Sequence, residues 1–340
     1  MKQLLFIFLT ICIYNTALYS QKPVVTVPQK TVLLETKYYS FQSNPQLNAH
    51  LYLYNRAMGC KFKKVHEDSL AYYSFKDKLK LVKPADLKTL NAVLMYYRDS
   101  LTAKDLLLDS LMRDFTDRLS QGTTPTLAWQ LRTLDQIKIF QPYFNKLYWK
   151  ELDAENKKWI LATKDQLVKQ ETAVVPELER IYQTQLPQSK KITVDLTCYA
   201  TWAGAYTYHD LMPHIIFAAS RGSNKGELAT EVVFHETSHF LVDKVEGKIK
   251  VLAKGKDIRK TINLWHNMIF YTTGNVMDKQ WAKEGKLIFP YYVQMKFEEK
   301  FPDFKATVEA CKEYWDPYIS GQSDLDAALK AIVKYIQEKK

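Results

Sequence analysis

Glu231-Val-Val-Phe-His-Glu-Thr-Ser-His-Phe-Leu-Val-Asp243 is the stretch on which the reading of this chain turns. Leu228, Val232, Val233, Phe234, Phe240, Leu241 and Val242 wrap most of its circumference, and neither Gly nor Pro interrupts it. This pattern predicts a buried helix, with Asp243 at or near its end. Residues four apart share a helix face, so His235 and His239 point the same way. Glu236 lies about a quarter-turn round: near enough to reach a water between the imidazoles, poorly placed as a third ligand. Polar groups on a buried helix need partners, and a metal ion held by two imidazoles supplies one.

Upstream, Ile192-Thr-Val-Asp-Leu-Thr-Cys-Tyr-Ala200 alternates as a half-buried strand does. Residues 201–208 read as a turn or second strand, and His214-Ile-Ile-Phe-Ala-Ala-Ser220 as another. The loop Arg221-Gly-Ser-Asn-Lys-Gly226 then delivers the chain into the His235 helix. Strands leading through a loop into His235-Glu-Thr-Ser-His239, an H-E-x-x-H match, resemble the zincin metallopeptidases over roughly residues 190–280. The resemblance implies one Zn²⁺ per chain on His235 and His239, with Glu236 as general base on a water at the zinc. It also implies a sheet edge that takes substrate as an added strand, contributed by His214–Ser220 or a neighbour.

Zinc in such sites takes three protein ligands. The extended zincin motif H-E-x-x-H-x-x-G-x-x-H is absent, because Val245 stands where its last His would be. The third ligand must come from elsewhere. Residues 257–277 read as a second long helix, and His266 sits there among Leu264, Trp265, Met268, Ile269 and Phe270. His266 is the expected third ligand, with Glu284, Glu298, Glu299 and Glu246 as competitors. Tyr271 is the residue put forward to stabilise an oxyanion, with Tyr206 and Tyr208 as further candidates. Glu231, one turn before His235, is either an acceptor for an imidazole N–H or a salt-bridged surface group. His209 and His214 flank Pro213 and read as structural, as does His50.

The rest of the chain supplies context. Met1–Ser20 has a lysine, then an apolar run over residues 4–18, and reads as a secretory signal; the alternative is an uncleaved anchor. Export to the periplasm or outside the cell is therefore expected, with no stable membrane span after signal removal. Cys60, Cys198 and Cys311 are far apart in sequence, which suits either one disulfide with a free thiol or three buried thiols. Gly is scarce at 10 of 340 residues, which favours helices. The net charge of +11 is spread among carboxylates, with lysine clusters at residues 61–64 and 248–260, and no nucleic-acid motif accompanies it.

Residues 21–45 read as extended and irregular, and residue 66 (His66) as solvent-facing. Helical periods recur over residues 84–119, 126–149 and 156–186. The C-terminal tail returns to helix, ending with Ser323-Asp-Leu-Asp326 as a capping box before residues 325–337. The expected fold is α+β and predominantly helical, with a small sheet before the His235 helix. Its regions are a signal segment (1–20), a helical N-terminal region (21–186) and a zincin-like catalytic region (187–340). The expected activity is that of a zinc metallopeptidase acting on a peptide or protein. Alternatives of other classes are a catalytically inactive zincin-like protein and a helical envelope-binding protein.

Overall fold

The computed structural model describes residues 29–62, 78 and 81–339; the expected signal segment and His66 lie outside the described residues. The fold is α+β and predominantly helical, as the periodicities predict. Two short strands come first, β1 (Thr31–Glu35) and β2 (Tyr39–Ser43). Among the described residues the helices α1 (Pro45–Phe62), α2 (Pro84–Ser100), α3 (Ser110–Gln121), α4 (Ala128–Phe144) and α5 (Lys150–Tyr182) follow. A π-helical turn, Asn145–Trp149, joins α4 to α5. Next are β3 (Ile192–Thr197), β4 (Ala205–Tyr208) and β5 (His214–Ala218). The second helical series is α6 (Leu228–Ser238), α7 (Asp243–Leu252), α8 (Leu264–Lys283), α9 (Tyr291–Gln294) and α10 (Phe297–Lys300). It closes with α11 (Pro302–Ala310), α12 (Asp316–Ile319) and α13 (Leu325–Glu338).

The five strands make one mixed sheet in the order β1-β2-β3-β5-β4. β2, β3 and β5 run parallel, while β1 and β4 are antiparallel to their neighbours. The region expected to be irregular thus supplies two strands, and β2 pairs with β3 from Tyr39↔Ile192 to Ser43↔Leu196. The sheet therefore crosses the boundary expected at 186/187. β3 is buried on both faces rather than half-buried, because it is central. β5 is central too, which leaves β4 as the edge on this side of the sheet.

Alternation along the strands assigns each face to a different core. Phe41, Val194, Leu196, Ile215 and Phe217 face a core built with α5, α6, α8, α11 and α13. Ile216, Ala218, Tyr206 and Tyr208 face a second core built with α1 to α4. α5 serves both, with Leu152 in the second core and Trp159 onward in the first. α3 is capped by Asp109, whose carboxylate accepts from the Leu111 and Met112 amides, and ends at Gly122 with φ 75°. α13 is capped by Asp324, one residue after the expected Ser323; its side chain accepts from Ala327 N.

One polar seam interrupts the second core. His214 on β5 is fully buried, with Nδ1 2.7 Å from Asp117 Oδ1 on α3 and Nε2 2.8 Å from Asp195 Oδ2 on β3. Ser120 Oγ and Gln42 Nε2 also donate to Asp195 Oδ2, and the Tyr208 hydroxyl lies 2.9 Å from His214 Nδ1. Burial pulls the His214 pKa down, but the hydrogen bonds and charges of Asp117 and Asp195 outweigh it and raise the pKa above its ordinary value. His214 is thus structural, as expected, and its imidazolium sits between two carboxylates.

A group with a raised folded-state pKa stabilises fully below its unfolded value and loses that contribution as pH climbs through the folded one. Urea midpoints are therefore expected to fall as the pH rises from about 6.5 through the higher folded-state value. His214→Leu is expected to lessen this pH dependence, leaving the part that Glu231 and Glu236 contribute, and costs about 3–5 kcal/mol, because two buried carboxylates lose their counter-charge.

Candidate metal centre

α6 lies on the first core face of the sheet, and its apolar residues reach that core through Leu228, Val233 and Phe234. The helix ends earlier than the apolar run suggests. After Ser238 the amides of His239, Phe240 and Leu241 bond to the carbonyls three residues back, and α7 restarts at Asp243. Asp243 therefore opens a second helix instead of ending the first. The two residues inside the motif are tied to neighbours. Thr237 Oγ1 lies 2.7 Å from the Tyr39 hydroxyl on β2, and Ser238 Oγ lies 3.0 Å from Thr273 Oγ1 on α8. These bonds fix the rotation of α6 between sheet and α8.

α8 begins at Leu264, seven residues later than expected, after a short 3₁₀ turn at Ile258–Lys260 capped by Asp257. Its first turn presents His266 to α6. The ring centroids of His235, His239 and His266 lie 5.2, 5.4 and 5.2 Å apart in pairs. One nitrogen from each lies within 4.8 Å of the others, so the three histidines form a group that can hold a metal ion. No carboxylate joins them among the described residues. Of the competing glutamates, Glu246 pairs with Lys250, Glu284 with Lys169 and Lys286, and Glu299 with Lys296.

The electrostatics suit a cation. Burial, then the neighbouring His239 and His266, push the His235 pKa well below its ordinary value. Burial, helped by His266, lowers His239 to about 3, and burial lowers His266 to about 4. All three rings are therefore neutral near pH 7, the form that ligates metals. His235 Nδ1 is buried without a hydrogen-bond partner. A donor or acceptor left so costs about 1–3 kcal/mol, and an ion on one ring nitrogen is one way to fix the tautomer of a ring like this.

Glu236 sits beside the histidines, almost fully buried. Burial raises its pKa to about 7, against the lowering effect of one hydrogen bond from Thr207. Thr207 Oγ1, on β4, lies 2.7 Å from Glu236 Oε2 and 3.0 Å from the Glu236 carbonyl oxygen. The other carboxylate oxygen, Oε1, has no donor among the described residues. Phe270, one turn after His266, lays its ring 3.9 Å from that of His235, and Tyr291 and Phe297 back it.

Other expected residues are placed elsewhere. Tyr271 is buried and donates to Asp316 Oδ2 at 2.8 Å, away from the histidines. Five residues is about 140° of helix rotation, so Tyr271 and His266 leave α8 on different sides. Tyr206 and Tyr208 face the second core. Glu231 accepts no imidazole N–H: both its oxygens take the Tyr291 amide, at 2.9 and 2.8 Å, and burial lifts its pKa to about 8. His209 is exposed, its ring 6.2 Å from Phe240. Cys198 and Cys311 are buried free thiols. Thr207 was not among the expected residues; its signal is the β4 alternation, which puts it on the side opposite Tyr206 and Tyr208.

Binding of a divalent ion is expected to raise the melting temperature by mass action. Replacing any one of His235, His239 or His266 with Ala should weaken binding by more than about 100-fold, beyond what loss of an outer hydrogen-bond partner costs. Glu246→Ala should leave it unchanged. Competition with a chromophoric chelator measures both. No protein-family model matches this chain, and it matches no curated protein and no solved structure.

Proposed function

We propose that the protein is a zinc-dependent hydrolase of the zincin type, acting on peptide bonds, in an exported location. The observation that carries this reading is the grouping of three neutral imidazoles, one nitrogen of each within 4.8 Å of the others, with the buried Glu236 next to His235 in the same helix. An all-imidazole donor set suits zinc better than oxygen-seeking calcium or magnesium. When bound, the ion would supply Lewis acidity, polarising a carbonyl and acidifying water at the site.

The chain's own residues then have distinct tasks. His235 and His239 from α6 and His266 from α8 hold the ion. Glu236 Oε1, the oxygen without a donor, accepts the proton of the attacking water and passes it to the departing nitrogen. A pKa near 7 suits both halves of that transfer. Among the described residues, β4, the edge of the sheet beside α6, pairs with β5 alone. Its open side is the place for an extended peptide to add as a strand. The role first expected for Tyr271 as oxyanion donor is not part of this reading, because its hydroxyl is committed to Asp316.

The test is hydrolysis of a mixed peptide library by zinc-loaded protein, read by mass spectrometry. Glu236→Gln is expected to keep its zinc and lose about a thousandfold in rate. Chelation should abolish hydrolysis and added zinc restore it. A zinc-loaded wild type that cuts no peptide would overturn the peptidase reading.

A further inference from the structure

Thr207, on the sheet edge, donates a hydrogen bond to the Glu236 side chain, and from this we infer that it is a positioning residue for Glu236. The inference rests on the reading of Glu236 as a general base. Three observations converge on it. The Thr207 hydroxyl is 2.7 Å from Glu236 Oε2 and 3.0 Å from the backbone oxygen of the same residue. A hydroxyl has one proton to give, and the carboxylate oxygen at the shorter distance is the stronger acceptor. The Thr207 proton therefore goes to Glu236 Oε2, with the backbone oxygen of the same residue as a second, more distant neighbour of the hydroxyl.

Second, the bond selects between the two carboxylate oxygens. Oε2 gives one lone pair to the Thr207 proton while Oε1 has no donor among the described residues, so Oε1 is the freer oxygen for proton transfer, and rotation of the carboxylate would break the bond to Thr207. Third, the brace is stiff. A β-branched side chain on a strand has restricted χ1, so the hydroxyl direction follows from the β4 backbone. That backbone is pinned by pairing with β5 through Thr207↔Ile215 and its neighbours. Valine would keep the shape and lose the donor; serine would keep the donor and lose the stiffness.

The test uses full-length zinc-loaded protein and acetohydroxamate, a small chelator whose N–OH proton needs an acceptor beside the metal. Its affinity is measured by calorimetry for wild type, Glu236→Gln, Thr207→Val, Thr207→Ser and the double variant Thr207→Val/Glu236→Gln, with zinc content checked in each. Glu236→Gln and Thr207→Val are each expected to weaken binding by about tenfold, the usual effect of one hydrogen bond to a charged group. Thr207→Ser should stay within about threefold of wild type, and the double variant should match Glu236→Gln alone. In zinc-loaded protein that cuts peptides, Thr207→Val should lower kcat with little change in KM. Should Thr207→Val not fold, Thr207→Ala against Thr207→Ser gives the same comparison.

Unchanged hydroxamate affinity in Thr207→Val, with a loss in Glu236→Gln, would overturn the role of Thr207 and leave the reading of Glu236 intact. No loss in Glu236→Gln, or no zinc uptake by wild type, would remove the reading of Glu236 and the role of Thr207 with it.

Discussion

Three imidazoles packed together, that of His235 buried and those of His239 and His266 half-buried, are best accommodated uncharged or with an ion among them. Much of the surrounding structure follows from that constraint. The polar groups nearest the histidines have their hydrogen bonds met by the protein: Thr237 by Tyr39 and the Val233 carbonyl, Ser238 by Thr273 and the Phe234 carbonyl. Nδ1 of His235, by contrast, is buried with no hydrogen-bond partner.

The aromatic backing serves the same constraint. Phe270 covers the face of His235, and Tyr291 stacks on Phe270 at 6.2 Å. Tyr291 is in turn held by its amide, which donates to Glu231. Glu231 therefore supports His235 through an aromatic wall instead of touching its ring. α8 and α9 approach closely enough for this because position 274 is glycine: a Cβ there would lie 2.8 Å from Pro290 Cβ. Any larger residue would push the wall away from the histidines.

How much of this could be read from the sequence follows from the range of each interaction. His235 and His239 are four apart on an apolar helix, a local relation that needs no knowledge of the fold. His266 was legible because a lone imidazole in an aromatic segment had two ligands waiting for it. Tyr271 failed on information already in the sequence, since five residues of helix turn it away from His266. β1 and β2 were not legible as strands. They have five residues each, and what makes β2 a strand is its pairing with β3 about 150 residues later. For Thr207 the β4 alternation marks only the face; its contact with Glu236 depends on register across β4 and β5 and on the seat of α6, which the sequence near residue 207 does not mark.

Register also ties the two polar sites of the molecule together. Along β4, residues 207 and 208 point to opposite faces. Tyr208 goes to the buried seam, its hydroxyl at His214, while Thr207 goes to Glu236 on the other face. A slip of one residue would exchange them, placing a bulky phenol against α6 and a threonine among the aromatic residues of the second core. β4 has only four residues and one neighbour, so its backbone pairing alone specifies register weakly. The Tyr208–His214 contact, backed by Asp117 and Asp195, supplies side-chain specificity to that short strand. The buried seam thus helps decide which hydroxyl reaches the carboxylate on the far side of the sheet.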